Sequence, residues 1–354
     1  MHSWGLMYSA GTHARHVWTG YAADCAPVQP FLRQVFLSKL AQIEESIPLK
    51  SAKNRYFLMS SSTSCSHSRA TTISLYWWEP KPHFSLHGLK RIAMARNPLV
   101  RNFGDLLSPF IVSRLAGLDV VHAQIESQGK LLAVGSVLHA AKDNDTIWGS
   151  GFLNSDCTQA VTRSMGLHFS SVRGPKTWEI LRKNGIVCPE IFGDPAVLLP
   201  LLVRNDIKPK GYIGFVPHFS HYPDFRHLGK KSKLRIIDVE NPPAEVMRNI
   251  LECDAIYSSS LHGIIVAEAY GIPAQMVVYK KPLHGDIFKF EDYYGSTGRK
   301  PKFVQANKPS DIFSIIQKDP LPPPIIHTMD LLKSFPYEVR NPLPEASRPG
   351  WSSL

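Results

Sequence analysis

The chain has 354 residues, 44% apolar and 19% charged, with 40 Lys plus Arg against 29 Asp plus Glu and a net charge of +11. This composition excludes a wholly disordered chain and a disulfide-held miniprotein, and the length predicts two packed units of ordinary size. No apolar run reaches spanning length, Met1-His2-Ser3-Trp4 lacks the charged-then-apolar order of a secretory signal, and the five scattered cysteines form no Cys-x-x-Cys pair. The chain therefore reads as cytoplasmic, with reduced thiols and no zinc ribbon.

Residues 1–72 carry weak periodicity and read as a poorly ordered or divergent N-terminal extension. The seven serines between Ser60 and Ser74 mark a linker, and only Phe31 to Ile43 has the apolar spacing of an amphipathic helix. From there the pattern becomes regular, with short apolar runs that end in Gly or small residues and are followed by helical spacing, the βα alternation. A helix with apolar face Leu106, Leu107, Phe110, Ile111 and Leu115 follows Asn102-Phe103-Gly104-Asp105. Strands are predicted over Leu131–Val134, Thr146–Trp148 and His168–Val172, and Pro175 opens a helix that stops at Asn184-Gly185.

The alternation restarts with strands over Tyr212–Val216 and Leu234–Val239, a helix over Pro243–Leu251, and a strand over Ala255–Tyr257. A cap at Ser258-Ser259-Ser260, a helix over Leu261–Tyr270 and a strand over Gln275–Tyr279 complete it. Beyond Lys318 eight prolines exclude continuous helix or central strand, and only Met329 to Phe335 looks briefly helical. The fold class is α/β, with two Rossmann-like domains over 73–204 and 205–319 and a Pro-rich tail over 320–354. Ligands in such sheets bind beyond the carboxyl ends of the strands, so the residues that follow each strand are the candidates.

Ser258-Ser259-Ser260-Leu261-His262-Gly263 is the strongest local signal, because backbone N–H groups, hydroxyls and the positive end of a helix converge where a strand enters a helix. The alternative is a plain serine cap with His262 in the core. Glu268, on a mostly apolar helix, is either a ligand contact or an internal ion pair. Arg173 follows a strand and precedes a proline-started helix, so it either points a two-pronged cation at the cleft or caps the sheet edge. On spacing alone Asp105 reads as an N-cap. Gly135, with Ser136, and the Gly149/Gly151 turn permit close backbone approach, and neither matches a dinucleotide fingerprint. His139, His218 and Arg299 follow strands or loops that can face the cleft. No metal motif and no nucleophile elbow appears. Seven cations between Lys208 and Arg235 against Asp224 alone read as a solvated basic loop or as a phosphate or anionic-lipid contact. No nucleic-acid module surrounds them.

In order and spacing, several runs resemble the polysaccharide pyruvyl transferase family, most closely its xanthan-type ketal pyruvate transferases. They are Tyr76-Trp77-Trp78-Glu79-Pro80, Asn102-Phe103-Gly104-Asp105, Gly135-Ser136-Val137-Leu138-His139, Trp148-Gly149-Ser150-Gly151, Val172-Arg173-Gly174-Pro175-Lys176, and Phe192-Gly193-Asp194-Pro195. Ser258 through Gly263, Glu268 through Pro273, and Asp292-Tyr293-Tyr294 with Gly298-Arg299 complete the set.

The resemblance implies a GT-B-like fold, phosphoenolpyruvate as donor, a lipid-linked oligosaccharide or polysaccharide acceptor, no cofactor, and a cyclic pyruvate ketal as product. His262 would be the general acid, with Asp105 or Glu268 orienting the acceptor beside Asn102, His139 and His218. Many members carry Arg where this chain has Ser260, so Arg173 and Arg299 would replace that cation beside Ser259, Ser260, Gly135 and Ser136. The basic segment would give peripheral contact with an anionic membrane, on the inner face of the plasma membrane. A nucleotide-sugar glycosyltransferase of GT-B type and a non-catalytic protein that binds anionic glycan or lipid are the alternatives, distinguished by which donor binds.

Overall fold

Ten strands among the described residues form two five-stranded sheets, every pairing between them parallel. The computed structural model describes residues 72–79, 102–229, 233–281 and 286–341, all within one contact unit, Ser66–Leu354. The first sheet holds β1 (Thr72–Tyr76), β2 (Asp119–His122), β3 (Leu131–Leu132), β4 (Thr146–Trp148) and β5 (His168–Ser171), in the order β2-β1-β3-β4-β5. The second holds β6 (Tyr212–Val216), β7 (Leu234–Ile236), β8 (Cys253–Ser258), β9 (Ala274–Tyr279) and β10 (Phe303–Ala306), in the order β10-β9-β8-β6-β7. The longer helices are α1 (Phe103–Ala116), α2 (Pro175–Lys183), α3 (Pro243–Leu251), α4 (Leu261–Ala269) and α5 (Asp286–Ser296).

Local chemistry sets these boundaries. Asn102, not Asp105, is the N-cap of α1, its carbonyl oxygen accepting from Gly104 N at 3.2 Å, and Gly117 closes the helix at φ +65°. Asp105 therefore sits in the first turn with its carboxylate released from capping. Pro175 occupies the first position of α2, where its missing N–H is not required. All six residues of β9 are buried, as are Ile264, Ile265, Val266 and Ala267 of α4. Parallel strands covered on both faces, and a helix enclosed on all sides, read as continuous apolar runs. The fully buried Ile, Val and Met side chains among them contribute about 1.5–3 kcal/mol each on burial.

The serine-rich linker expected as far as Ser74 is corrected at its end: Thr72 to Ser74 open β1, which pairs with both β2 and β3. Ile73 and Leu75 alternate into the core beneath a polar-looking composition. The helix expected over Phe31–Ile43 lies outside the described residues, as do Lys230 and Lys231. Within the basic segment Lys210 and Arg235 both bind Glu252, and Arg235 stacks 3.9 Å from the Tyr212 ring centre. Two of those cations thus tie the chain before β6 and the end of β7 to the end of α3.

The chain after Lys318 crosses from one sheet to the other. Leu321 O accepts from Ala274 N at 3.0 Å beside β9, and a short helix, Met329–Lys333, then presents Leu331 O to the Trp148 indole N–H at 2.9 Å. Phe335 packs edge-on against Trp148 at 4.7 Å. α5 also crosses: it lies between β9 and β10 in the chain but packs on α2, with Lys176 Nζ 2.5 Å from Glu291 and Asp292 accepting from Thr177 N and Oγ1 at 2.8 and 2.7 Å.

Candidate active site

Residues that follow strands of both sheets meet around His262. At the end of β8 the Ser258 hydroxyl lies 2.8 Å from Val216 O and accepts from Ser260 N at 2.9 Å, fixing the turn into α4. Gly263 is needed there, because a Cβ would lie 2.5 Å from Ser258 Oγ. This turn puts His262 in the first turn of α4 and directs its ring toward α1. The ring fills the place a side chain at Gly104 would occupy, since a Cβ there would lie 2.1 Å from His262 Nδ1. Phe103 meets the ring edge-on at 6.4 Å, and its backbone N–H donates to Val239 O at 2.9 Å, bonding the start of α1 to the chain after β7.

His262 Nε2 stands 3.6 Å from Asp194 Oδ2, and both atoms are buried with no hydrogen-bond partner. Asp194 is fully buried, and its Oδ1 caps the following turn by accepting from Ala196 N at 3.0 Å. At 3.6 Å the two atoms lie just beyond hydrogen-bond distance of each other, so the carboxylate is placed to orient the ring. Asp105 adds a third group. Its Oδ1 lies 3.5 Å, and His262 Cε1 3.9 Å, from where a Cβ on Gly135 would be, and Gly135 holds φ +101°. Burial pushes the Asp105 carboxyl up to about 6, against the opposing pull of His262, Asn102 and Lys289.

Aromatic and basic groups surround this centre. Burial and the Asp105 charge raise the Tyr76 phenol. Trp78, beyond β1, stacks on Phe219, beyond β6, with ring centres 6.1 Å apart, and the His218 ring lies 4.3 Å from Phe219. Burial, then Lys289 and His221, push His218 down to about 3, so its ring is neutral. Lys289, from α5, acts electrostatically on both Asp105 and His218. His139 meets Tyr76 edge-on at 6.4 Å, and burial lowers its pKa.

The arginines expected to face a donor are both engaged by carboxylates, Arg173 in the interior and Arg299 half-buried. Arg173 is fully buried; Nε pairs with Asp292 at 3.0 Å, Nη2 donates to Phe152 O at 2.7 Å, and Nη1 donates to the Ser136 hydroxyl. Gly151 makes room for this guanidinium, because a Cβ there would lie 2.6 Å from its carbon. Arg173 thus holds the Gly135-Ser136 turn against α5 and offers no face to a ligand. Arg299 grips Glu268 with two bonds of 2.9 and 2.7 Å, and Tyr293 donates to the same carboxylate at 2.8 Å. Of the two readings left open for Glu268 the internal ion pair is the one observed, which also occupies the carboxylate a nucleotide ribose would need. The Ser259 hydroxyl accepts from His218 N at 3.0 Å and lies 3.2 Å from His221 Nδ1. Ser260 takes the N-cap position of α4 without a side-chain capping bond.

His262, Asp105 and Gly135 therefore come together, with Asn102 capping behind them and His218 nearby, while Arg173, Arg299 and Glu268 serve the frame. Sequence reasoning did not single out Asp194, Lys289 or Asp292. Asp194 and Asp292 were visible only within the runs Phe192-Gly193-Asp194-Pro195 and Asp292-Tyr293-Tyr294, and Lys289 not at all; Lys289 and Asp292 lie three residues apart on one helix whose docking on α2 no local signal announces. Among the described residues no group of three or more His, Cys, Asp or Glu side chains is placed to hold a metal ion, and no helix is long and apolar enough to cross a membrane.

Strand ends of the α/β fold thus bring one histidine near two carboxylates, Asp194 and Asp105. The family model for polysaccharide pyruvyl transferase matches residues 127–281, so this stretch is similar to that family of transferases. Asp194 and His262 lie inside the matched stretch, whereas Asp105 and Lys289 lie outside it. A curated relative, an uncharacterized protein of Acanthamoeba polyphaga mimivirus, is 28% identical over 208 residues, covering 56% of this chain and 71% of that protein. No solved structure matches.

Proposed function

We propose that the protein transfers pyruvate from phosphoenolpyruvate to a sugar of an exopolysaccharide repeat unit, as a cyclic ketal. The observation that carries this reading is the buried His262 Nε2–Asp194 Oδ2 contact beside Asp105. His262 protonates the donor's methylene carbon, C3, and the positive charge that develops at C2 is attacked by the first sugar hydroxyl. Asp105, largely ionised above pH 6, accepts that hydroxyl's proton. The C2–O bond to phosphate then breaks, and a second hydroxyl of the same sugar closes the ring on C2. Of the two hydroxyl protons, one balances the new methyl group and the other leaves with inorganic phosphate.

Asp194 orients the His262 ring, and Arg173 positions the Gly135-Ser136 turn that borders it. Lys289 and the backbone N–H groups at the start of α4 supply positive potential for the donor's phosphate and carboxylate. The two sheets, in 73–204 and 205–319, act as two domains facing a cleft in the GT-B manner. The enzyme works in the cytoplasm on a lipid-linked acceptor, with Lys208–Arg235 giving peripheral contact to an anionic membrane at about 1 kcal/mol per cation near the surface.

The test is incubation of purified protein with phosphoenolpyruvate and lipid-linked acceptors, followed by mass spectrometry for a product that has gained one pyruvate as a ketal. His262→Ala should lower the rate by about 10²–10⁴ while the protein stays folded. Unchanged turnover in the folded variant, or turnover of a nucleotide sugar in place of phosphoenolpyruvate, would refute the reading.

A further inference from the structure

The carboxylate that faces His262 is only as well placed as the turn that carries it, Gly193-Asp194-Pro195. Asp194 Oδ1 is anchored to its own turn by Ala196 N, so Oδ2 moves with the backbone. That backbone lies against Gly149, just beyond β4: a Cβ on Gly149 would lie 2.5 and 2.6 Å from Cδ and Cγ of Pro195 and 2.8 Å from Gly193 O. A second contact comes from Leu331, on the short helix Met329–Lys333. The three atoms nearest to a Cβ on Gly193 would all be Leu331 side-chain carbons, the first at 2.9 Å.

These two contacts are joined to each other. Trp148, the neighbour of Gly149, donates its indole N–H to Leu331 O at 2.9 Å, and the Ser334 hydroxyl donates to the same oxygen at 2.8 Å. Trp148 is fully buried and Leu331 nearly so. Trp148, Leu331, Gly193 and Gly149 therefore close a ring of contacts around the peptide that precedes Asp194. The segment that delivers Leu331 is tied on both sides of it: Leu321 O accepts from Ala274 N at 3.0 Å, and Arg340 N donates to Leu115 O, near the end of α1, at 2.7 Å. Close-packed interiors transmit displacement, so a gap at Leu331 shifts the Gly193 peptide and the carboxylate with it.

We infer that Leu331 and Trp148 are positioning residues, and that the segment after Lys318 sets the Asp194 carboxylate against His262 by acting through the Gly193 peptide. The inference rests on the pyruvyl-transfer reading for its effect on rate, but the surroundings of the His262 ring can be read without any reaction. In protein carrying ¹⁵N-labelled histidine, the ring signals of His262 are those lost in His262→Gln, and Asp194→Asn defines how they move when the carboxylate is withdrawn. Leu331→Ala and Trp148→Phe should each move them in that same direction, and Leu331→Met, which keeps the volume, should leave them near the wild-type positions. Trp148→Phe removes one hydrogen bond and keeps an aromatic ring, so it serves where Leu331→Ala fails to fold. Ile315→Ala, a truncation in the core of the second sheet, should lower the melting temperature and leave the His262 signals in place.

In turnover, Leu331→Ala should lower kcat about tenfold with the Michaelis constant for phosphoenolpyruvate unchanged. In an Asp194→Asn background the same change should have no further effect, because residues that act through one another are not additive. Unmoved His262 signals in the folded variants overturn the inference. So does an equal displacement in Ile315→Ala, or an additive loss of kcat. Signals that move as expected, in a protein that releases no phosphate from phosphoenolpyruvate, would sustain the positioning role while refuting the proposed reaction.

Discussion

Gly104→Ala is the sharpest test of the geometry, because glycine contributes no chemistry of its own. On an open helix the exchange stabilises by about 0.5–1 kcal/mol through backbone entropy. Here the added methyl would lie 2.1, 2.5 and 2.9 Å from Nδ1, Cγ and Cβ of His262. To reach ordinary contact near 3.5 Å the imidazole must retreat by roughly 1–1.5 Å. Overpacking of this kind costs about 1–3 kcal/mol, so the sign of the stability change reverses while the protein remains folded. A misplacement of about 1 Å in a reacting group costs on the order of 100-fold in rate, which is about 2.7 kcal/mol of barrier. The assay is phosphate release from phosphoenolpyruvate in the presence of acceptor, together with a thermal melt. A Gly104→Ala protein that melts higher than wild type and turns over at full rate would show that His262 does not occupy this place.

Asp105→Asn should lower turnover by about 10²–10⁴ if the carboxylate takes the hydroxyl proton, read from initial rates. It should also change the pH dependence of stability. With its folded pKa raised to about 6 from 3.8, the folded state binds the proton more tightly, so wild-type stability falls as pH rises from about 4 to 6 and stays lower above that. Urea midpoints at pH 4, 5 and 7 should show that loss in wild type and not in the variant. Asp292→Ala strands the fully buried Arg173 guanidinium and should cost about 3–5 kcal/mol in denaturant melts; a cost below 1 kcal/mol would contradict the buried network. Lys289→Ala should raise the Michaelis constant for phosphoenolpyruvate several-fold or more, and an unaltered donor constant would remove Lys289 from the donor site.

The amino-acid sequence determined the parallel α/β class and most element boundaries, because these follow from neighbours in the chain. Pro175 opens α2, Gly117 closes α1, and apolar runs such as Ala274–Tyr279 form strands buried on both faces. It pointed to His262 and Gly135 as well, since a strand that ends in Ser or Gly before a helix is a local pattern. β1, β2, β10 and α5 were not anticipated; β1 escaped notice because two buried side chains, Ile73 and Leu75, were diluted by serines, and only pairing with β2 and β3 defines the strand.

What tertiary structure alone decided is which charges remain available. Arg173 and Asp292 are 119 positions apart, and Glu268 and Arg299 are 31 apart. Nothing local announces that these pairs neutralise each other in the interior. Asp194 and His262, 68 positions apart, stand at 3.6 Å with no partner for either facing atom. A charged side chain's role depends on what lies within a few ångströms of it, and for these residues every such neighbour is brought from a distant part of the chain by packing.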